Sequence, residues 1–421
     1  MPPKQSNDAR LKRLKGPYLD DELRRGTGQT RINHACIRCQ NQKSRCVPDP
    51  ENPGGCCLRC RDQNAKTIKG SCIRLILSHC VLYRTNTTQV QLQIPPEYSN
   101  SNPKGPSNFP HQLLRLENRK YGQIFNFDIQ EYPLTEHEQS LSPLTPEGNL
   151  LTKKPFHIPN TQEFVDSYKK CIIADAAKCA NRLLTGSSTF IWKIFAKAFG
   201  LAEAQDGLKS KVVRLALHFW IAARSTESGW VISNPESLGM WPEHKGKLSE
   251  IPYVEHQLTW ILMNDFLAPL CAEVLADIQQ INKSGKAGDW LGQFLATFIV
   301  LHNYELLVKR QKAFTISRNW TKTPYTNMPL LNNIQLGAKT LLASYHYSTK
   351  NCARFSMNWH NDEEPRILGL DSNDRDFLSD LVMEATRLRE EIHLTPRSDR
   401  WEADFWFTGQ MFDSNWEPRG S

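Results

Sequence analysis

The spacing of six cysteines in its first fifth is the feature that most constrains this chain. Residues 35–46 read ACIRCQNQKSRC, a CxxC pair followed by a third cysteine, and a second CxxC pair and one more cysteine follow. The six are Cys36, Cys39, Cys46, Cys57, Cys60 and Cys72. Each CxxC turn can place two thiolates on one metal ion, at the sulfur distance of about 2.3 Å that is usual for zinc. The pattern therefore predicts a metal site rather than a disulfide framework.

The number of ligands decides how many zinc ions this region can hold. Two tetrahedral zinc ions need eight ligand positions, so six cysteines suffice only if two thiolates each bridge both metals. Cys36 and Cys57, the first cysteine of each CxxC pair, are the natural bridging candidates. Cys80 competes with Cys72 as sixth ligand, although the shorter loop to Cys72 is favoured by under about 1 kcal/mol of closure entropy. Alternatively, the two CxxC pairs alone would make a site for a single zinc.

The net excess of positive charge lies in the same region. Residues 1–85 hold 17 Lys and Arg against 7 Asp and Glu, a balance of +10, whereas the whole chain has a net charge of +8. A basic head of this kind suits a polyanion. No run of about 18 apolar residues and no long basic amphipathic helix stands out, so we expect nucleic acid rather than a membrane as partner. The charged start without an apolar core predicts a reducing compartment, where cysteines serve as thiols or metal ligands.

Composition predicts four segments. Residues 1–30 are a flexible basic tail, in which RLKRLK is a nuclear-import signal, a phosphate-contacting arm or simply a solvated tail. Residues 31–85 are the zinc-binding and DNA-binding domain. Ten of the 25 prolines fall in residues 86–160, which are predicted to be a Pro-rich linker. Residues 161–421 show apolar residues at helical spacing and are predicted to be a large all-α regulatory domain.

The helical region carries no catalytic motif that we recognise. GxSxG, HExxH and GxxxxGK[ST] are all absent from the sequence, so we expect the protein not to be an enzyme. The stretch LGQFLATFIVLHNYELL is apolar nearly all round, which predicts a central helix covered by others. His302 lies within it and is interpreted as a packed core residue rather than a base.

The C-terminal stretch RWEADFWFTGQMFDSNWEP combines aromatic and acidic residues. Six aromatics and four acidic residues lie between Trp401 and Glu417, with no basic residue among them. Such interleaving resembles activation segments that bind coactivators. The favoured alternative is a closing helix whose aromatics complete the core, because all eleven tryptophans lie between Trp192 and Trp416 and the helical region is expected to bury many of them.

ACIRCQNQKSRC followed by CLRC resembles the binuclear zinc cluster (Zn2Cys6) of fungal transcription factors, over roughly residues 31–75. The resemblance implies a small Zn2Cys6 module with two Zn²⁺ per chain. It also implies a nuclear protein that binds double-stranded DNA and works with the transcription machinery or coactivators. In that family a short helix after the second cysteine presents a lysine, here Lys43, to CGG-like triplets in the major groove. Arg45 falls at a family position that contacts phosphate.

The remaining charges around the cysteines suggest how DNA would be read. The segment from Cys39 to Cys46 is predicted to form about two turns of helix, so that Lys43 can donate to N7 and O6 of guanine. Phosphate contacts are predicted for four arginines, namely Arg38, Arg45, Arg59 and Arg61.

Gln40 and Gln42 stand where family members often carry basic residues. Either glutamine could read adenine, with Gln42 the candidate we retain, or their lack of charge could weaken DNA binding. The rival function is therefore a zinc-stabilised interaction protein or co-regulator with weak or no DNA binding. Residues 73–100 contain no three-heptad repeat, so a coiled-coil dimer is not predicted there.

Overall fold

The computed structural model divides the chain into two compact units, Met1–Leu75 and Ile76–Ser421, which we call the head and the body. The residues that the structure describes are 21–52, 55–62, 72–74, 76–84, 109–118, 122–132, 156–204, 207–227, 229–238, 251–317, 328–349, 355, 357, 359, 368–394, 404–413 and 416. The basic cluster at residues 10–15 and most of the predicted linker lie outside them.

Three helices form the described part of the head: α1 (Asp21–Asn33), α2 (Ile37–Asn41) and α3 (Leu58–Asp62). Helix α2 begins where the Cys36 thiol, as N-cap, accepts a hydrogen bond from the Cys39 backbone nitrogen at 3.4 Å. Helix α1 was not predicted, since residues 1–30 were expected to be a flexible tail. Gly26 and Gly28 lower its intrinsic helix propensity, so its formation depends on contacts with the rest of the head.

The body is mostly helical. Its α-helices are α4 (Thr161–Ala174), α5 (Ala176–Leu183), α6 (Thr189–Glu203), α7 (Gly207–Glu227), α8 (Pro252–Trp260), α9 (Ala268–Ser284), α10 (Trp290–Ser317), α11 (Met328–Ser348), α12 (Ser372–Leu394) and α13 (Trp406–Gln410). A π-helix spans Ile261–Leu267, and 3₁₀ turns span Leu77–His79, Pro235–Leu238 and Ala287–Asp289. Asn160, rather than the neighbouring Thr161, caps α4, because its side-chain oxygen accepts from the Glu163 backbone nitrogen.

Helix α10 is the centre of the body, which confirms the prediction of a covered central helix. Every residue from Trp290 to Glu305 is buried, and the helix packs most extensively against α7. Among the described residues, Ala287–Ser317 is long and apolar enough to cross a membrane, with a mean hydropathy of 1.3. However, 94% of its most apolar window is buried inside the protein, as in the core helix of a folded domain.

The body also contains a four-stranded antiparallel sheet in the order β3-β2-β1-β4, so the prediction of an all-α domain was incomplete. The strands are β1 (His111–Asn118), β2 (Gln123–Glu131), β3 (Phe156–His157) and β4 (Val231–Ile232). Phe125 and Phe127 of β2 pack edge-on against Phe164 of α4. The β1–β2 hairpin therefore belongs to the body, although it lies within the residues predicted to be a Pro-rich linker.

Residues 76–84 also belong to the body, whereas we predicted them as the end of the zinc-binding domain. Leu77, Cys80 and Leu82 are buried there. The side-chain amide of Asn303 on α10 donates to the Leu82 carbonyl at 3.0 Å. The structure thus places the boundary between the two units after Leu75, ten residues before the predicted one.

Candidate metal centre

The head brings the predicted cysteines together as two groups of four thiols that overlap. One group is Cys36, Cys39, Cys46 and Cys57, and the other is Cys36, Cys57, Cys60 and Cys72. Within each group all sulfur atoms lie within 4.8 Å of one another. The two groups share Cys36 and Cys57, the residues that the sequence predicted as bridging ligands.

The distances between sulfur atoms fit a tetrahedral metal. A zinc ion with four Zn–S bonds of about 2.3 Å requires its sulfurs to stand about 3.8 Å apart. The Cys36 and Cys60 sulfurs are 3.7 Å apart, and those of Cys39 and Cys57 are 3.8 Å apart. All of the donors are thiols, the ligands that soft metals and zinc prefer. The cluster could therefore hold metal ions.

Backbone N–H groups surround these sulfur atoms. The Cys36 nitrogen donates to the Cys46 sulfur at 3.4 Å, and the Cys57 nitrogen donates to the Cys72 sulfur at 3.1 Å. Hydrogen bonds of this kind stabilise a thiolate and orient a metal ligand. The local fold of α2 and α3 therefore supports the charge that metal coordination would place on the cysteines.

The crowding of these thiols has a clear electrostatic consequence. The pKa of Cys36 is raised, first by its hydrogen bond with Cys72 and then by burial, and burial raises the pKa of Cys57. The pKa of Cys72 is lowered, first by the hydrogen bond that it receives from Cys36. Neighbouring thiolates oppose one another's ionisation, so a fully deprotonated cluster requires a cation.

The other two cysteines near the motif occupy different environments. Among the described residues, Cys56 is exposed and belongs to neither group of four. Cys80 is buried in the body, where its thiol donates to the Ile76 carbonyl and its own carbonyl accepts from the Cys271 thiol. Gly337 of α11 lies beside it. The structure therefore gives Cys80 a packing role in the body and brings Cys72 to the cluster.

Lys43 lies just beyond α2 rather than on it. The sequence predicted about two helical turns between Cys39 and Cys46, but α2 ends at Asn41 and Gln42 is its C-cap. Lys43 then has a left-handed backbone with φ of 51°. Only glycine adopts this conformation without cost, although it is common after a helix C-terminus. The Lys43 side chain is exposed, as are Gln40 and Gln42.

The four arginines predicted to contact phosphate differ in accessibility. Arg38 is only 6% exposed, on the side of α2 that faces the interior of the head, so its contact with phosphate stays a prediction that its burial does not favour. Arg45 and Arg59 are exposed. Arg61 is exposed too, but its guanidinium is paired with Asp49 at 2.6 Å and with Asp62 at 3.2 Å.

Sequence reasoning missed two residues next to the cluster. Asp49 is buried and anchors Arg61, which removes much of the positive charge predicted there. Arg74 lies beside the thiols. Burial alone would lower its pKa, but the net shift is upward because the Cys46 thiol hydrogen-bonds and attracts the guanidinium. The sequence could have indicated this contact, because Arg74 stands only two residues after the ligand candidate Cys72.

His302 confirms its interpretation as a core residue. It is buried between aromatic rings, 5.6 Å from the ring centre of Phe195 and stacked on Trp220 at 6.0 Å. Burial lowers its pKa to about 3, so the imidazole is neutral and packs as an aromatic ring.

Three of the six C-terminal aromatics are buried in the core of the body, as the favoured alternative predicted, whereas Trp401 lies outside the described residues. Phe407, Met411, Phe412 and Trp416 are all buried. Trp416 stacks on His346 of α11 with 4.7 Å between ring centres. In the conformation that the structure describes, these residues are therefore part of the fold and are not available to a coactivator.

Comparison with known families supplies the class of protein. A family model described as KpeA transcription factor matches residues 151–411, more than half of the chain, which supports a transcription factor. The chain belongs to the KpeA transcription factor family. The matched region lies within the body and does not include the thiol cluster. Membership suggests a regulator of transcription rather than an enzyme, and it implies a nuclear location.

No curated protein and no solved structure matches the chain significantly.

Proposed function

We propose that this protein is a nuclear, sequence-specific DNA-binding regulator of RNA polymerase II transcription, whose head is a Zn2Cys6 module. The observation that carries the proposal is the sharing of Cys36 and Cys57 between two four-thiol groups, in a chain of a transcription factor family. One zinc would be bound by each group. Their role would be structural, since metal binding to such a small polar unit supplies folding free energy.

The proposed DNA surface is the exposed end of α2 and the loop that follows it. Lys43 would read guanine in GC-rich, CGG-like sites, and Gln42 could contact an adjacent base. Arg45 and Arg59 are exposed and suit phosphate. Arg61 would contact phosphate while its charge is already balanced by Asp49. Coactivators or the transcription machinery would then contact the body.

A specific observation favours a second function, that of a zinc-stabilised interaction protein or co-regulator with weak or no DNA binding. Arg38 is buried, Arg61 is paired with Asp49, and Gln40 and Gln42 are neutral. The exposed, unbalanced charge around the cluster is therefore smaller than the sequence suggested. Affinity for DNA depends strongly on such charge.

Selection of bound sites from random duplex DNA, with the full-length protein loaded with zinc, tests the two functions. The proposed function predicts enrichment of sites containing CGG-like triplets and binding that weakens as salt rises. Cys39→Ser, which removes a ligand from the first group, is the control and should abolish both. A zinc-loaded protein that enriches no sequence and binds duplex no better than the control would establish the co-regulator function instead.

A further inference from the structure

Helix α1, which precedes the cysteine motif, packs directly on the loop that ends at Cys46. Gly26 is buried beneath the guanidinium of Arg45, and a Cβ at this position would stand only 1.9 Å from Nη2 of Arg45. One turn later, the Thr30 hydroxyl donates to the Gly26 carbonyl at 2.9 Å and lies 3.4 Å from the Cys46 carbonyl. The Gly26–Thr30 face of α1 therefore faces the loop that carries Arg45.

The contact with Gly26 places Arg45 beside a turn of α1 that carries two further exposed arginines. Arg24 and Arg25 are exposed and immediately precede Gly26 on α1, so their Cα atoms rise about 3 Å and about 1.5 Å from it along the helix axis. Arg45 is exposed as well and lies against Gly26 from the loop. At about 100° per residue, Arg25 and Arg24 leave α1 about 100° and about 200° round from Gly26. The three arginines therefore lie within one turn along the helix axis, but on different sides of it.

We propose that α1 is part of the DNA-binding surface: Arg24 and Arg25 bind backbone phosphates of duplex DNA, and Gly26 positions Arg45 to bind a third. This inference rests on the proposed function. Arginines fit phosphate oxygens with two parallel hydrogen bonds, and phosphate contacts set the orientation of a protein on the duplex without reading sequence.

The first test removes the two new charges from the full-length protein. R24Q/R25Q should lower the salt slope of DNA binding by about 2 units, since each phosphate contact contributes about 0.9. The double substitution should weaken binding to the specific site and to random duplex DNA by the same factor. R115Q/K283Q, which removes two exposed charges from the body, is the matched control and should leave the slope unchanged.

The second test uses the close approach at Gly26. G26A should hardly change stability, because only the far end of a flexible side chain has to move and alanine favours the helix. It should weaken DNA binding about as much as Arg45→Ala does. In the Arg45→Ala background, G26A should have no further effect on DNA binding, because the group that it displaces is already gone.

The outcomes separate this inference from the function on which it rests. Unaltered protein with its zinc bound that fails to bind duplex DNA overturns both. If the unaltered protein binds DNA but R24Q/R25Q binds with the same affinity and salt slope, only the role of α1 is overturned. Loss of sequence preference in R24Q/R25Q, with zinc content unchanged, would also overturn it, because phosphate contacts carry no sequence information.

Discussion

The carboxylate of Glu305 on α10 accepts three hydrogen bonds at the start of α13, from the backbone nitrogens of Phe407 and Thr408 at 2.8 and 2.9 Å and from the Thr408 hydroxyl at 3.1 Å. Glu305 is buried. Glu305 therefore ties the start of α13 to the central helix by hydrogen bonds, beside the packing of Tyr304 on Phe407 at 4.7 Å between ring centres. Removing the Glu305 carboxylate would leave the buried N–H groups of Phe407 and Thr408 without this hydrogen-bond acceptor.

Glu305 should make the stability of the body depend on pH. Burial raises its pKa from the usual 4.5 to about 7, against the lowering effect of the Thr408 and Phe407 nitrogens. Because the folded pKa is above the unfolded one, the stabilisation is complete below about pH 4.5 and is lost as pH rises through about 7. The pKa difference corresponds to at most about 3 kcal/mol.

Glu305→Gln tests this dependence, because the amide oxygen can still accept from the two nitrogens. Denaturation midpoints measured between pH 4.5 and 8 should fall with rising pH in the unaltered protein more steeply than in Glu305→Gln. Equal pH dependence in the two proteins would show that the Glu305 carboxylate does not titrate as stated.

The metal centre predicts two zinc atoms per chain by elemental analysis of the purified full-length protein. Cys72→Ser should lower the zinc content, because it removes a thiol of the second group. Cys80→Ser is the matched control, since Cys80 lies in the body, and it should keep the zinc content while destabilising the body through a polar group placed in a buried site. One zinc per chain in the unaltered protein would favour the four-cysteine site.

The cysteine cluster was predictable from sequence because metal ligands obey a spacing that local geometry imposes. The central helix was predictable because its apolar residues are continuous through Glu305. The β1–β2 hairpin was not predicted, because its alternation of buried and exposed residues is short and proline-rich segments flank it on both sides. Its stability comes from Phe164 and Tyr168 on α4, which stack edge-on against Phe125.

Long-range contacts explain the remaining differences. Asn303 binds the Leu82 carbonyl across 221 residues of sequence, and no local pattern reveals that residues 76–84 belong to the body. Similarly, Asp49 neutralises Arg61 from twelve residues away. The net charge counted along the sequence already includes Asp49, but it does not reveal that this carboxylate offsets Arg61 rather than another arginine.

Arg224 and Glu227 form an ion pair in the core of the body. Their side chains are only 5% and 3% exposed and lie 2.7 Å apart, and Nε of Arg224 also donates to the side-chain oxygen of Asn303 at 3.1 Å. Arg224→Met should destabilise the body by about 3–5 kcal/mol, because it leaves the Glu227 charge buried with its main partner gone. Urea denaturation followed by far-UV circular dichroism would measure the change.

The exposed pair of Glu384 and Arg387 supplies the control. It has the same spacing of three residues and the same distance of 2.7 Å, but its side chains are 37% and 56% exposed. Arg387→Met should therefore change the free energy of unfolding by less than about 1 kcal/mol. Equal effects of the two substitutions would show that burial does not determine how much free energy of unfolding is lost when an ion pair is broken.

Lys43 provides the sharpest test of sequence recognition. Lys43→Ala should cost about 1–3 kcal/mol of discrimination at the contacted base pair, because a base contact is lost. Arg45→Ala should instead weaken specific and random DNA together and lower the salt slope by about 1 unit. Binding to the selected site and to single-base variants, at several salt concentrations, distinguishes the two effects, provided that each protein retains its zinc.

Because Lys43 has a left-handed backbone, a glycine variant separates the effect of the side chain from the conformational cost. Alanine keeps the conformational cost at φ of 51°, whereas glycine removes it. Lys43→Gly should therefore be at least as stable as Lys43→Ala while losing the same sequence preference. A Lys43→Gly protein that keeps full preference with its zinc bound would exclude the Lys43 ammonium as the base-reading group. Gln42, exposed one residue earlier, would then be the next residue to substitute.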